Sequence, residues 1–171
     1  MPKVTNAEQL LEQYSLGERN FEGSNLDGAD LSNSVLKEIN LTRASLRRAD
    51  LSNADLSDAR LFQVDLTTAL LNRAILCRAN LTGANCNRAV MRGITLEGTI
   101  LMRANLYGAV LLNANLIEAR LREADLSNAN LCGADLSKAV TTLAKFEGAQ
   151  YSTTTILYRG CDPIKQGMKK L

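Results

Sequence analysis

Apolar residues recur at every fifth position through most of this 171-residue chain. The repeated unit has a leucine at its centre and an alanine two positions earlier, as in Ala134-Asp135-Leu136. Counting from Phe21 to Tyr151 gives 27 consecutive units, of which 21 have Leu at the centre and 20 have Ala two positions earlier. Two of every five residues are therefore predicted to face the interior of the protein.

A period of five fits neither a regular helix nor a regular strand. On an α-helix, five residues advance by about 500°, so successive leucines would rotate around the axis by roughly 140° and form no stripe. On a continuous strand, alternate leucines would lie on opposite faces because the side-chain period is two. Each unit must instead combine a short extended piece with a corner that keeps Ala and Leu inside, which predicts a chain that coils into stacked turns.

Tandem units of the form A(D/N)LXX resemble the pentapeptide-repeat family, in its cyanobacterial-type members, over about residues 19–156. The resemblance implies an all-β solenoid, a right-handed quadrilateral β-helix with four pentapeptides in each coil. Four units per coil distribute 27 units over about seven coils, and stacking at the spacing of neighbouring strands makes a rod about 30–35 Å long.

Four units per coil also place the centres in four columns of stacked side chains. One column, which we call the core ladder, consists of Leu31, Leu51, Leu71, Met91, Leu111 and Leu131. A fully buried Leu contributes roughly 1.5–3 kcal/mol before the entropy of ordering is subtracted, so such columns are sufficient for one hydrophobic core. We expect one domain.

The residues around each centre predict the corners. Eight of the eleven glycines lie two residues after a centre, at Gly23, Gly28, Gly83, Gly93, Gly98, Gly108, Gly133 and Gly148. Glycine and asparagine adopt positive φ at low cost, so this position is predicted to be the turn. The frequent Asn or Asp just before the centre is expected to accept a hydrogen bond from nearby backbone.

The two ends differ from the repeats. Thr5 to Glu8 resembles a capping box and predicts a short amphipathic helix over about residues 6–15, so residues 1–18 are interpreted as an N-terminal capping helix. Residues 19–156 are assigned to the β-helix, with Ile156 as the last centre. Residues 157–171 are interpreted as a C-terminal cap or tail, which ends in a frayed segment containing Lys165, Lys169 and Lys170.

Composition indicates a cytoplasmic protein, because no apolar run has the length of a signal peptide or a membrane span. Of the four cysteines, Cys86 is expected inside, Cys77 and Cys132 outside on different faces, and Cys161 in the tail. Free thiols suit a reducing compartment, and the cysteines lack the paired spacing of a zinc or iron-sulfur site. We expect no metal and no cofactor.

The sequence offers little for catalysis. It contains no His and no Trp, so Ser-His-Asp and Cys-His nucleophile systems cannot form within the chain. Carboxylates are expected to stack, Asp30 with Asp50 and Asp55 near Asp58, but an uninterrupted solenoid offers flat walls rather than a cleft. We therefore expect that the protein is not an enzyme.

The best-known activity implied by the resemblance is mimicry of duplex DNA, by which a pentapeptide-repeat protein blocks or protects a type II topoisomerase. This mechanism needs dense negative charge, whereas the formal net charge here is +2 and the isoelectric point is about 8.4. The opposite hypothesis, polyanion binding, would use the middle arginines, which are Arg43, Arg47, Arg48, Arg73, Arg78, Arg88, Arg92 and Arg103. Nucleic-acid binding is disfavoured because these residues are expected on all four faces with acidic residues between them.

One outward feature distinguishes this rod from a uniformly polar one. Leu70, Val90 and Val110 are expected to stack in three successive coils with Leu112 beside them, which makes an apolar stripe about 10 Å long. A smaller cluster of Phe62, Ile100 and Met102 is expected two faces away. The sequence thus favours a non-enzymatic scaffold that presents this stripe to an unknown protein partner. The alternative function is a regulator of a nucleic-acid enzyme or a polyanion binder. The sequence pattern does not determine the oligomeric state.

Overall fold

The computed structural model of the protein describes residues 4–171. It contains one helix, α1 (Ala7–Ser15), and two short strands, β1 (Gln150–Tyr151) and β2 (Lys169–Lys170). Between α1 and β1 the chain winds into coils that are joined by single parallel bridges. From Asn20 onward, each bridge joins residues 20 apart, as far as the bridge between Asn130 and Gln150. One coil therefore takes 20 residues, or four of the five-residue units.

Backbone hydrogen bonds repeat in the same pattern from coil to coil until the last coil. The N–H of the centre donates to the next coil, as from Leu71 to the oxygen of Val90 at 2.7 Å. The N–H at the corner does the same, as from Arg73 to Arg92 at 2.8 Å. The following alanine closes the turn within the unit, as from Ala74 to the oxygen of Leu71 at 3.2 Å. Because backbone polar groups are satisfied in this way, the units can stack with an apolar interior.

The predicted corner is confirmed at the second residue after each centre from Phe21 to Phe146. All eight glycines at this position have φ between 63° and 71°, and 18 non-glycine residues at the equivalent position have φ between 53° and 60°. The predicted role of Asn and Asp before the centre is also confirmed. Asp50 accepts a hydrogen bond from the Ser52 N–H at 2.8 Å, and Asn105 accepts one from the Tyr107 N–H at 3.0 Å.

The hydrophobic core is the interior of the coils. All six residues of the core ladder are at most 2% exposed. The alanines two positions before the centres fill the spaces between the leucines, and nearly all of them are buried. The buried cluster continues from Val4 and Leu10 at one end to Met168 at the other, so one core runs the length of the described chain.

Helix α1 agrees with the predicted range, but the residue that caps it is one position later than predicted. Asn6, rather than Thr5, is the N-cap, and its side chain accepts a hydrogen bond from the Gln9 N–H at 2.9 Å. The second hydrogen bond of the cap is made by Gln9 rather than Glu8, since the Gln9 side chain accepts from the Thr5 N–H at 3.2 Å. On the core side of the helix Leu10 is fully buried, and the Tyr14 hydroxyl donates to the Lys37 carbonyl at 3.0 Å.

The last coil contains one residue more than the others, which corrects the assignment of Ile156 as an inward centre. Ile156 pairs with Asp135, 21 residues earlier, and is 52% exposed. Leu157 instead packs against the core. The extra residue is held by the Thr155 hydroxyl, which accepts from the N–H of Gly133 at 3.1 Å and donates to the Leu131 carbonyl at 3.0 Å.

The C-terminal segment is more ordered than the predicted frayed tail. Strand β2 pairs in parallel with β1, and the N–H of Lys169 donates to the Ala149 carbonyl at 2.8 Å. Lys165 forms an ion pair with Asp162 at 3.7 Å, and its N–H donates to the same side chain. The prediction of fraying at Lys165, Lys169 and Lys170 was therefore wrong, because a fixed backbone pairing continues to the last residue, Leu171.

Candidate protein-contact surface

The apolar stripe lies on one side of the rod, where three consecutive coils present an apolar residue at the same position. Parallel bridges join Leu70 to Val90 and Val90 to Val110. Leu112 projects on the same side as Val110 because the buried Leu111 between them points inward. Leu70 is 38% exposed and the other three side chains are half-buried. The stripe is therefore a shallow surface rather than a pocket.

Polar residues enclose the stripe along the rod. The same column of bridged residues begins with Asp30 and Asp50 and continues beyond Val110 with Asn130 and Gln150. Beside it lies an open groove of about 350 Å³, which is lined by Ser52, Asn53, Asn72, Arg73 and Arg92. The apolar contact area is thus bordered by amide and guanidinium groups.

The middle arginines divide into two groups. Four of them form ion pairs, which are Arg43–Glu22 at 3.8 Å, Arg47–Asp65 at 2.6 Å, Arg78–Asp58 at 2.6 Å and Arg103–Glu123 at 2.7 Å. Within residues 4–171, no ion pair involves the other four, which are Arg48, Arg73, Arg88 and Arg92. The eight are equivalent in the sequence pattern, whereas in the structure only the guanidinium groups of the second group lack a carboxylate partner within residues 4–171.

The ion pairs shift the pKa values of their carboxylates. The hydrogen bond from Arg78 lowers the pKa of Asp58, and the same contact raises the pKa of Arg78. Burial alone raises the pKa of Asp65, but hydrogen bonds from Thr67 and the ion pair with Arg47 outweigh burial, so the pKa of Asp65 is lowered. These carboxylates remain ionised at neutral pH and stabilise the folded coils.

The stacked acidic residues serve the turns. Asp30 and Asp50 lie on bridged positions of adjacent coils, as expected. Each accepts a hydrogen bond from the N–H two residues later, and the hydrogen bonds from Ser32 lower the pKa of Asp30. Asp55 forms an ion pair with Lys37 at 3.2 Å. Both pairs of carboxylates thus have local structural partners.

Other exposed apolar side chains were not singled out from the sequence. The expected second cluster is loose, because the Thr82 coil separates Phe62 from Met102. A larger group of exposed residues lies towards the C-terminal end of the rod and includes Val140, Leu143, Ile156 and Ile164. Leu143 could have been found from the sequence, since it occupies a corner position where other units have glycine or polar residues.

No disulfide links the four cysteines, all of which lie in the described part of the chain. Cys86 is fully buried, and burial raises the pKa of its thiol to about 12. Cys77 is half-buried, and burial raises the pKa of its thiol as well. Residues 4–171 contain no cluster of side chains suited to a metal ion, and no helix in this range has the length and apolarity to cross a membrane.

Comparison with known proteins identifies the family. The family model described as pentapeptide repeats matches in 8 copies, over residues 24–61, 59–98 and 99–137. The chain belongs to the pentapeptide-repeat family. The match covers most of the coils, including every residue of the stripe.

Several solved pentapeptide-repeat structures are similar to this chain. HetL of Nostoc sp. strain PCC 7120, involved in the regulation of heterocyst differentiation, is 30% identical, with 87% of this chain and 70% of HetL covered and a TM-score of 0.46. A second pentapeptide-repeat protein from the same cyanobacterium is 27% identical, with both chains covered completely and a TM-score of 0.41. QnrB1, a plasmid-mediated fluoroquinolone resistance protein, is 23% identical, with 91% of this chain and 83% of QnrB1 covered and a TM-score of 0.46. A comparison with curated proteins gives no match.

Proposed function

We propose that this pentapeptide-repeat protein is a non-enzymatic scaffold that binds a protein partner through the stripe of Leu70, Val90, Val110 and Leu112. Its body is a right-handed rod of about seven coils over residues 19–156. The helix within residues 1–18 covers one end of the rod, and residues 157–171 cover the other.

The observation that carries this proposal is the stacking of apolar side chains in three successive coils. Bridges hold Leu70, Val90 and Val110 at a spacing of about 4.8 Å, the spacing of neighbouring strands. The backbone around each residue is hydrogen-bonded in both directions, so the surface is preorganised and little conformational entropy is lost when it binds. Contiguous exposed apolar residues can mark a protein-contact site, whereas singly scattered ones do not.

The arrangement of polar groups supports a role without catalysis. The stacked carboxylates Asp30 and Asp50 are occupied by hydrogen bonds to their own turns. The chain lacks histidine, and the buried Cys86 thiol stays protonated at neutral pH because its pKa is about 12. A rigid rod with these properties presents side chains at fixed spacing and transforms no substrate.

The test is capture of partners by crosslinking in cell lysate, with Val90→Glu and Val110→Glu compared with the wild type. Each variant places a charge within the stripe and is expected to lose a partner that the wild type retains. Thr95→Glu is the matched control, because Thr95 is a β-branched, half-buried residue at the equivalent bridged position on the next face. Circular dichroism melting checks that all three variants fold. If both stripe variants retain every wild-type partner, the proposal is wrong.

The second candidate function is regulation of a nucleic-acid enzyme or direct binding of a polyanion. It is favoured by the arginines without ion pairs, of which Arg73 and Arg92 line the groove beside the stripe. The net charge of +2 is too small for a general polyanion-binding surface and has the wrong sign for a mimic of DNA. A salt-dependent gel shift with duplex DNA and a gyrase supercoiling assay test it. Absence of both a shift and inhibition would eliminate this candidate.

A further inference from the structure

The stripe lies on the one side of the rod that lacks acidic residues over several coils. We define the stripe face as the segments 68–73, 88–93, 108–113 and 128–133, which occupy equivalent positions in successive coils. These segments contain three arginines and no Asp or Glu. The next face, reached five residues later in each coil, carries Glu97 and Glu118 over the same coils. The stripe is therefore set in a locally cationic surface on a rod with a near-neutral total charge.

The three arginines of the stripe face flank the apolar residues. Arg88 lies at the corner two residues before Val90, and Arg73 lies at the opposite corner. Their stems run along the rod over glycine corners of the next coil. A Cβ added at Gly93 would lie 3.7 Å from Cγ of Arg73, and one added at Gly108 would lie 3.4 Å from Cγ of Arg88.

The guanidinium groups of the stripe face have no carboxylate partner. Arg73, Arg88 and Arg92 form no ion pair within residues 4–171. Arg78, at a comparable corner on the next face, is paired with Asp58. Arginine also forms planar, bidentate contacts with carboxylates, which makes it well suited to pairing across an interface. The charge on the stripe face is complementary to an acidic partner.

The spacing of the stripe selects the shape of that partner. The stripe advances by about 9.6 Å over two coil intervals. In an α-helix that lies along the rod, residues i and i+7 are separated by about 10.5 Å, with i+3 or i+4 between them on the same side. Same-face residues i and i+4 of an extended strand are separated by about 13 Å. A helix therefore matches the three stripe positions to about 1 Å, whereas a strand misses them by more than about 3 Å.

We propose that the stripe binds an amphipathic helix of an acidic protein partner. Apolar residues at i, i+3 or i+4, and i+7 of this helix pack on Leu70, Val90 and Val110. Asp or Glu residues at the borders of its apolar face pair with the flanking guanidinium groups. This inference rests on the proposed protein-contact function and adds the chemistry and shape of the partner.

The test is a selection from displayed random 16-residue peptides on the immobilised protein, with removal of peptides that also bind Val90→Glu. The surviving peptides are expected to be acidic and to repeat apolar residues every three or four positions. They are expected to gain helical circular dichroism when they bind. Survivors that are basic, or that bind without becoming helical, would overturn the inference on charge or shape and leave the contact site in place.

Charge reversal of the arginines supplies the second measurement. The double variant Arg73→Glu/Arg92→Glu is expected to weaken binding of a selected peptide at least about tenfold in fluorescence anisotropy. The matched control is Arg60→Glu/Arg120→Glu, which reverses two exposed arginines two faces away, and it is expected to weaken binding less than about twofold. If the two double variants weaken peptide binding equally, the assignment of Arg73 and Arg92 as partners of the acidic peptide residues is overturned.

Two further results separate this inference from the proposed function. If no Val90-sensitive peptide is selected while crosslinking still shows Val90-dependent partners, the helix inference fails and the contact site stands. If crosslinking shows no such partners either, both fail. Binding of duplex DNA that Arg73→Glu/Arg92→Glu abolishes and Val90→Glu retains would assign the arginines to a polyanion and overturn the acidic-helix proposal.

Discussion

Replacement of Leu111 by alanine tests the assignment of the inward and outward positions of a coil. Leu111 is 0% exposed and lies between Met91 and Leu131 in the core ladder, whereas its neighbour Leu112 is half-buried on the outside. Leu111→Ala removes three carbon atoms, which costs about 2.4 kcal/mol in transfer free energy at about 0.8 kcal/mol for each buried group. The residual cavity adds to this cost, so we expect a loss of about 3 kcal/mol in the free energy of unfolding.

Neighbouring side chains set how much of the cavity persists. Met91 is flexible and can move part of the way into the cavity. The loss in free energy of unfolding for Leu111→Ala is therefore expected near the lower end of the range for Leu→Ala substitutions in protein cores. The background variant Met91→Leu removes this relaxation, so Leu111→Ala is expected to cost more in that background. For a chain of 171 residues, a loss of about 3 kcal/mol corresponds to a decrease in Tm of about 6–12 °C.

The assay is urea denaturation followed by circular dichroism, with Leu112→Ala as the control. Leu112→Ala is expected to lower the free energy of unfolding by about 1 kcal/mol or less, because Leu112 already contacts solvent. The slope of the free energy against urea concentration is compared between variants, because coils of a solenoid can unfold separately. A loss of less than about 1 kcal/mol for Leu111→Ala, or equal losses for the two variants, would refute the assignment of positions.

Three further predictions concern a corner, an ionic pair and a thiol. Leu143 holds a φ of 60° with a side chain that is 70% exposed, so Leu143→Asn is expected to raise the free energy of unfolding by about 0.5–1 kcal/mol in urea denaturation. Leu143→Ala lacks the side-chain amide that hydrogen-bonds local backbone at positive φ, so it should show no such gain. The pKa of Asp58 is lowered in the folded state, so the stabilisation that its carboxylate provides is present above the unfolded pKa and is lost as the pH falls through the folded pKa. The Tm should therefore fall below about pH 4, and it should fall less steeply in Asp58→Asn. Since the chain has no histidine, a Tm that changes between about pH 5.5 and 7.5 would contradict this account. Cys86 should resist a thiol reagent in the folded protein while it reacts in guanidinium chloride, and rapid labelling of four thiols in the native state would show that its burial is wrong.

The coil was predictable from the sequence because the inward residues follow a period that only a cornered chain satisfies. The ends were less predictable. Thr5 and Glu8 have the spacing of a capping box, but Asn6 and Gln9 have the same spacing, and only the backbone decides between them. Ile156 is apolar and fits the five-residue period of the preceding centres, so the sequence pattern does not reveal the extra residue in the last coil. The Thr155 hydroxyl accommodates that residue.

The candidate surface was predictable in its register and less so in its electrostatics. Once four units form one coil, residues 20 apart are neighbours, and this register alone places Leu70, Val90 and Val110 in one column. The ion pair between Asp58 and Arg78 follows the same register. The pair between Arg47 and Asp65 joins residues 18 apart and depends on side-chain conformations that a linear pattern does not encode. Whether the stripe binds a partner stays a prediction.

The 20-residue interval between bridged positions bears on how the chain acquires its structure during synthesis. Every bridge before the last coil joins a segment to one that emerged from the ribosome a single coil earlier. Each new coil can therefore dock on a completed template without waiting for a distant part of the chain. Growth from the amino end would leave one unpaired edge at any moment, and the C-terminal strand β2 adds the final pairing when synthesis ends.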